Sequence, residues 1–168
     1  MISPLSNTAD VTCHILRLVE QEETRDVREI FVDRQALAGI PLAAMHPVTI
    51  EARDGLPLVC YYTLPRWSDP EGVGVPSSPL ATVLLVHGGP WGRDRWGFNA
   101  LHQWLANRGY AVLSVNFRGS TGVGKGVINA SDLEWAGAMH NDQLDAVDWA
   151  VAEGIADPHP VARLGGSY

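Results

Sequence analysis

Three stretches of the chain are apolar almost without interruption: ATVLLVH (81–87), YAVLSVN (110–116) and VARLGG (161–166). Runs of this length and bounded in this way suit strands buried on both faces of a parallel sheet. Between the first two lies FNALHQWLANRG (98–109), where Leu101, Trp104, Leu105 and Arg108 recur at helical spacing and Gly109 supplies a stop. Between the second and third, the pattern predicts a helix from about Asp142 to Glu153. Leu144, Val147 and Val151 would share one face, Asn141 or Asp142 would cap it, and Gly154 would end it. DPHP (157–160) reads as a break before the third strand. The order strand, helix, strand, helix, strand predicts right-handed crossovers and an α/β sheet, parallel in this region.

Upstream, VTIEA (48–52) and LPLVCYYTL (56–64) flank Asp54-Gly55, a hairpin signal, so an antiparallel hairpin is expected to enter the sheet first. A loop rich in Pro, Gly and Ser (66–79) connects it to the first buried run. Residues 11–19 and 27–32 read as two further strands joined by an acidic turn, followed by a connector with Gly39, Pro41 and Pro47 as breakers. This N-terminal part has no evident core of its own. The expected organisation is a linker with the remnant of a preceding domain over 1–45 and a larger unit over 46–168.

Charge and composition narrow the function classes. Of 168 residues, 46% are hydrophobic and 18% charged, a globular balance, and the formal net charge is -7. An acidic chain without a basic stripe is not expected to bind nucleic acid. No apolar run approaches the ~20 residues of a membrane span, so no membrane partner is expected. Met1 to Asp10 lacks the basic and apolar regions of a signal peptide, which makes the cytoplasm the default location. Cys13 and Cys60 read as buried free thiols.

The candidate chemistry sits at strand ends. Gly165-Gly166-Ser167-Tyr168 leaves the third buried strand as the first half of a G-x-S-x-G elbow, the sharp turn that lifts a nucleophilic hydroxyl above a sheet. Two glycines before a serine are more often an ordinary loop, but His87-Gly88-Gly89-Pro90 follows the first buried strand and changes that balance. In α/β-hydrolases an HGG-type loop at this point supplies one oxyanion-hole N–H, and the residue after the nucleophile supplies the other. Here those donors would be Gly89 and Tyr168. Gly119-x-x-x-x-Gly124-Lys125 approaches a P-loop but has Gly126 where Ser or Thr is needed, and no dinucleotide fingerprint opens a helix. The six histidines show no metal-ligand spacing, so neither metal nor cofactor is expected. His102 and His159 read as surface or packing residues. Trp91 and Trp96, beside the HGGP loop, are candidates to border a substrate pocket.

Taken in order, LLVHGGPWGRDRWGF, QWLANRGYAVLSVNFRGSTGVGK, EWAGAMHND, GIADP and GGSY resemble the prolyl oligopeptidase family of serine peptidases, and within it the acylaminoacyl-peptidase-like branch. The resemblance spans about residues 46 to 168. It implies a partial α/β-hydrolase fold, Ser167 as nucleophile, and Gly89 and Tyr168 as backbone donors to the oxyanion. It further implies that His87, Gly88, Asn116 and Arg118 support the site, with Gly119 in the same loop. Asp142 matches a family position at a helix start and is expected to be structural. Residues 24–45 resemble the family's linker, and 11–19 a last strand of its β-propeller.

In that family the triad Asp and His come after the nucleophile, and neither lies within these residues. The chain alone is therefore expected to be inactive and marginally folded, with the C-terminal half of the catalytic domain as its expected partner and short peptides as the substrates of the whole. An esterase or lipase on the same fold, and a non-catalytic remnant that binds a partner, are the alternative readings.

Overall fold

A computed structural model describes residues 34–167 in full and the backbone alone of 12–17 and 26–32. The turn expected at 21–23, the ends of the strand expected over 11–19, and Tyr168 lie outside the described residues. Strands β1 (Thr12–Arg17) and β2 (Asp26–Val32) pair antiparallel with each other in a separate two-stranded sheet.

The main sheet holds β3 (Met45–Glu51), β4 (Pro57–Thr63), β5 (Leu80–Val86), β6 (Ala111–Asn116) and β7 (Ala156–Gly165) in the order β3-β4-β6-β5-β7. The β3–β4 and β4–β6 pairs are antiparallel, and β5 pairs parallel with both β6 and β7. The hairpin turns where expected: Gly55 takes φ +86°, and Ala52 N–H donates to Leu56 C=O at 2.9 Å. Helix α1 (Ala100–Asn107) connects β5 to β6, and helix α3 (Ala138–Ala152), after the short α2 (Lys125–Asn129), connects β6 to β7.

The two crossovers run in opposite directions from β5 and β6, so their helices lie on opposite faces. Alternation along the strands divides the core accordingly. Val83, Leu85 and Val112 cluster with Leu105 of α1. Leu58, Leu84, Val86, Leu113 and Val115 cluster with Met139, Ala146 and Ala150 of α3. Each fully buried Leu or Val contributes roughly 1.5–3 kcal/mol, so the α3 face, with many more such residues, anchors the unit.

Several expectations shift. Pro47 lies inside β3, opposite Tyr61, and does not break it. Pro158 and Pro160 likewise fall within β7. Among the described residues β3 and β7 are the outermost strands, where a missing N–H costs no ladder bond. DPHP still interrupts the ladder, because the pairing steps from Leu80↔Ala156 directly to Thr82↔Val161. β7, outermost among the described strands, is largely exposed, the uncovered apolar edge expected of these residues taken alone.

Helix α3 begins a turn before Asp142. Its first N–H groups are met by Glu134, whose Oε2 accepts from Ala138 N–H at 3.0 Å, in place of a cap from Asn141 or Asp142. Its buried stripe is Met139, Asp142, Gln143, Ala146 and Ala150, while Leu144 is 42% exposed. Ala146 and Ala150 pack on the sheet together with Met139, and of the predicted face Val147 and Val151 lie partly buried against the same cluster while Leu144 turns outward. Helix α1 is rotated in the same sense: His102, Leu105 and Ala106 are buried, and Leu101 and Trp104 face outward. Its cap is Asn99, whose side chain accepts from Leu101 and His102 N–H. No helix among the described residues is long and apolar enough to cross a membrane.

Candidate active site

Ser167 stands immediately beyond β7, exposed, with φ +63°. A non-glycine residue in the left-handed region carries about 1–2 kcal/mol of backbone strain, and such strain is concentrated at functional sites. It is the backbone a nucleophile elbow needs. The glycines around it permit the approach of two strand ends. A Cβ on Gly165 would lie 2.8 Å from Val86 C=O. One on Gly88 would lie 2.9 Å from Gly166 C=O and 3.3 Å from Ser167 Cβ. The HGG loop is thus packed on the elbow, and Gly89 N–H donates to Ser167 C=O at 3.2 Å.

The loop is held in place by the C-terminal end of β6 and the glycine-rich turn beyond it. Asn116, fully buried, clamps the backbone of Asp94: its Oδ1 accepts from Asp94 N–H at 2.8 Å and its Nδ2 donates to Asp94 C=O at 3.3 Å. The His87 ring stacks on Phe117, with centroids 4.5 Å apart, and its nitrogens contact Gly88 C=O at 2.9 Å and Ser120 Oγ at 3.0 Å. Thr121 N–H donates to Gly92 C=O at 2.9 Å. The P-loop-like stretch therefore works as a brace. Gly119, at φ +94°, passes so close to Pro90 and Ser131 that a Cβ would meet the Pro90 Cβ at 2.6 Å.

Arg118 ties the floor together. Its backbone N–H and Nε donate to Asp142 Oδ2 at 2.7 and 2.9 Å, and its Nη2 donates to Asp142 Oδ1 at 2.8 Å and to Asp54 Oδ2 at 2.8 Å. Hydrogen bonding to Asp142, then to Asp54, raises the guanidinium above its ordinary value against the opposing effect of burial. The same bond lowers the carboxyl of Asp54. Asp142 is 0% exposed, a structural carboxylate inside α3 rather than at its start. Burial raises the Asp94 carboxyl, opposed by His87 and by Ser114, and its Oδ2 is buried without a hydrogen-bond partner.

A cleft of about 400 Å³ opens beside the loop, lined by Gly89, Trp135, Ala136, His140 and Arg163. Of the tryptophans expected at a pocket, Trp91 projects outward and Trp96 donates its indole N–H to Met45 C=O at 3.0 Å. The aromatic wall is Trp135 instead, on a segment where Leu133 and Ala136 also take positive φ. Nothing in the periodicity marks Trp135 or Ser120. The strained segment has no glycine at those two positions, and Ser120 looks like an ordinary turn residue. Cys60 is buried and free, and burial raises its thiol far above the usual range. His159 is exposed, whereas His102 is buried, with burial pushing it down to about 4. Among the described residues no group of three or more His, Cys, Asp or Glu is arranged to hold a metal.

Residues 96–168 match the prolyl oligopeptidase family. Dipeptidyl aminopeptidase BIII of Pseudoxanthomonas mexicana is 55% identical over 140 residues, 83% of this chain and 20% of that protein. The structure of a Mycobacterium tuberculosis puromycin-hydrolyzing peptidase superposes with a TM-score of 0.71 at 27% identity, over 95% of this chain and 24% of that one. The acylaminoacyl peptidase of Pyrococcus horikoshii shares the fold, with a TM-score of 0.68 at 22% identity over 83% of this chain and 22% of that one. The chain therefore spans about a fifth of the length of the first relative and about a quarter or less of these solved structures.

Proposed function

We propose, on the premise that the chain belongs to the prolyl oligopeptidase family, that Ser167 is the nucleophile of a serine peptidase acting on short peptides. The observation that carries this reading is the strained backbone of Ser167 at a glycine-lined strand end, with Gly89 N–H directed at the same residue. The Ser167 hydroxyl attacks the scissile carbonyl, a general base takes its proton, and the acyl-enzyme is then hydrolysed. The tetrahedral oxygen competes for the Gly89 N–H now held by the Ser167 carbonyl, and Tyr168 N–H is the second donor. Each donor is worth roughly 2.7–4 kcal/mol in the transition state.

Ser167 Oγ makes no hydrogen bond to a histidine among the described residues, and both nitrogens of His87 are engaged by Gly88 and Ser120. On the family's chain order of Ser, Asp and His, the base is assigned to a histidine after Ser167. Loss of the base alone costs about a millionfold in kcat in a comparable serine peptidase, so residues 1–168 by themselves are expected to be inactive. The test is a paired assay of the protein isolated from its source, on peptide anilides and on simple esters. Hydrolysis of the anilides that disappears in Ser167→Ala supports a peptidase. Hydrolysis of esters alone moves the protein to the esterases, and activity that survives in Ser167→Ala removes Ser167 from the mechanism.

A further inference from the structure

We propose that Ser120 is a positioning residue for the oxyanion hole, acting through His87. The proposal rests on the reading of Gly89 N–H as an oxyanion donor. His87 contacts a carbonyl on one side, Gly88 C=O at 2.9 Å from Nδ1, and a hydroxyl on the other, Ser120 Oγ at 3.0 Å from Nε2. A carbonyl only accepts, so Nδ1 carries the hydrogen and donates it. In the neutral ring Nε2 is then a bare acceptor, and the hydroxyl of Ser120 donates to it. The opposite tautomer sets the Nδ1 lone pair against the Gly88 oxygen at 2.9 Å, a repulsive contact. The Gly88 carbonyl therefore sets the tautomer, and Ser120, donating to the bare Nε2, holds the ring from its far side in the position that bonds Gly88.

The consequence reaches Gly89 through one rigid unit. The Gly88 carbonyl and the Gly89 N–H belong to the same planar peptide, so fixing the oxygen fixes the direction of the N–H. Glycine at both positions leaves no side chain to restrain that plane, and the His87 bond supplies the restraint from outside. Ser120 is itself well placed to act as a fixed donor. It is fully buried, its N–H donates to Phe117 C=O at 3.0 Å, and its neighbours Gly119 and Thr121 are bonded to Val127 and Gly92. Phe117 stacks on the imidazole and restricts its tilt. A substrate oxygen thus has to displace the Ser167 carbonyl, but from an N–H whose peptide plane is already fixed.

The test uses the protein from its source, labelled with ¹⁵N at histidine, with nuclear magnetic resonance of the ring nitrogens and amide exchange by mass spectrometry as two readouts that need no catalysis. At about pH 8, above the ordinary histidine range, the ring nitrogens of His87 should report a hydrogen on Nδ1 and none on Nε2. Ser120→Ala should keep that tautomer, which Gly88 sets, and move the Nε2 resonance to that of a ring nitrogen without a hydrogen-bond donor. It should also speed hydrogen exchange at the Gly89 amide by about tenfold, the loss of one net hydrogen bond, relative to the Leu113 amide in β6. Ser120→Thr, which keeps the hydroxyl, should restore both. A role confined to packing would move Gly89 and Leu113 together and leave the Nε2 resonance in place. A wild-type ring protonated on Nε2 overturns the proposal without any variant, as does an unchanged Nε2 resonance in Ser120→Ala. Failure of the Gly89 assignment is separate: the Nε2 and exchange changes would appear as stated, but hydrolysis by the source protein would be untouched by Ser120→Ala.

Discussion

Acidification provides a quantitative test of the packing between α1 and the sheet. His102 is 1% exposed, with Nδ1 3.0 Å from Thr63 Oγ1 and Nε2 2.8 Å from Ser114 Oγ. Burial lowers it from 6.5 to about 4, so the folded state holds the neutral ring where the unfolded chain has already taken up a proton. The unfolded state binds more protons across that window, and stability must fall as the pH falls. Stability from this residue is complete above pH 6.5, declines down to about pH 4, and changes no further once both states are protonated. At about 1.4 kcal/mol per pH unit, the loss across the window is about 3 kcal/mol. Asp94 works in the opposite direction, because its raised carboxyl makes the folded state the tighter proton binder as the pH falls. Asp54, lowered by Arg118, acts below the window, near and under the ordinary carboxyl value of 3.8. So does Asp145, which Arg53 holds low although burial raises it. The assay is denaturant unfolding at a series of pH values for the wild type and for His102→Gln, whose amide retains partners for both hydroxyls. The difference between the two curves should carry the slope, with the variant nearly flat between pH 6.5 and about 4 apart from the Asp94 contribution. Equal slopes in the two proteins would refute the buried neutral imidazole.

The remaining predictions concern strain, buried charge and the elbow. Ala136 sits at φ +58°, so Ala136→Gly should raise the unfolding free energy by about 0.5–1 kcal/mol, seen as a higher denaturant midpoint at unchanged slope, and a lower midpoint would contradict the strain. Asp142→Asn leaves the buried guanidinium of Arg118 without its bidentate anion and should cost about 3–5 kcal/mol, read by the same unfolding experiment. Gly88→Ala drives a methyl into Gly166 C=O and Ser167 Cβ. It should slow acylation of Ser167 about 100-fold, measured by reaction with a fluorophosphonate in the protein from its source.

The sheet's central strands and the hairpin turn were legible because their signals are local: continuous apolar runs and Asp54-Gly55. The helix faces were legible only in part. Leu101, Trp104 and Leu144 carry the expected period but face outward, while Leu105, Val147 and Val151 of the same predicted faces pack inward beside His102, Ala106, Ala146 and Ala150. The start of α3 was hidden because its cap is Glu134, four residues before the N–H it accepts from, and no Ser, Thr, Asp or Asn marks Gly137. Pro47, read as a breaker, is tolerated on β3 at the edge of the sheet, a property of sheet order that no local pattern encodes, whereas the break read at 157–160 does interrupt the ladder. At the site, the glycines and Ser167 were legible as motifs. The Asn116 clamp on Asp94, the Arg118 link to Asp54 across 64 positions, and the Ser120–His87 contact join distant segments and emerge only in the fold.

The claim on which the account turns is that Ser167 is the nucleophile. The direct measurement is peptide mapping by mass spectrometry after the protein from its source has reacted with a fluorophosphonate. The account predicts one adduct, on the peptide containing Ser167, and none in Ser167→Ala. An adduct confined to another serine, with Ser167 unmodified while peptide hydrolysis is lost, would contradict it.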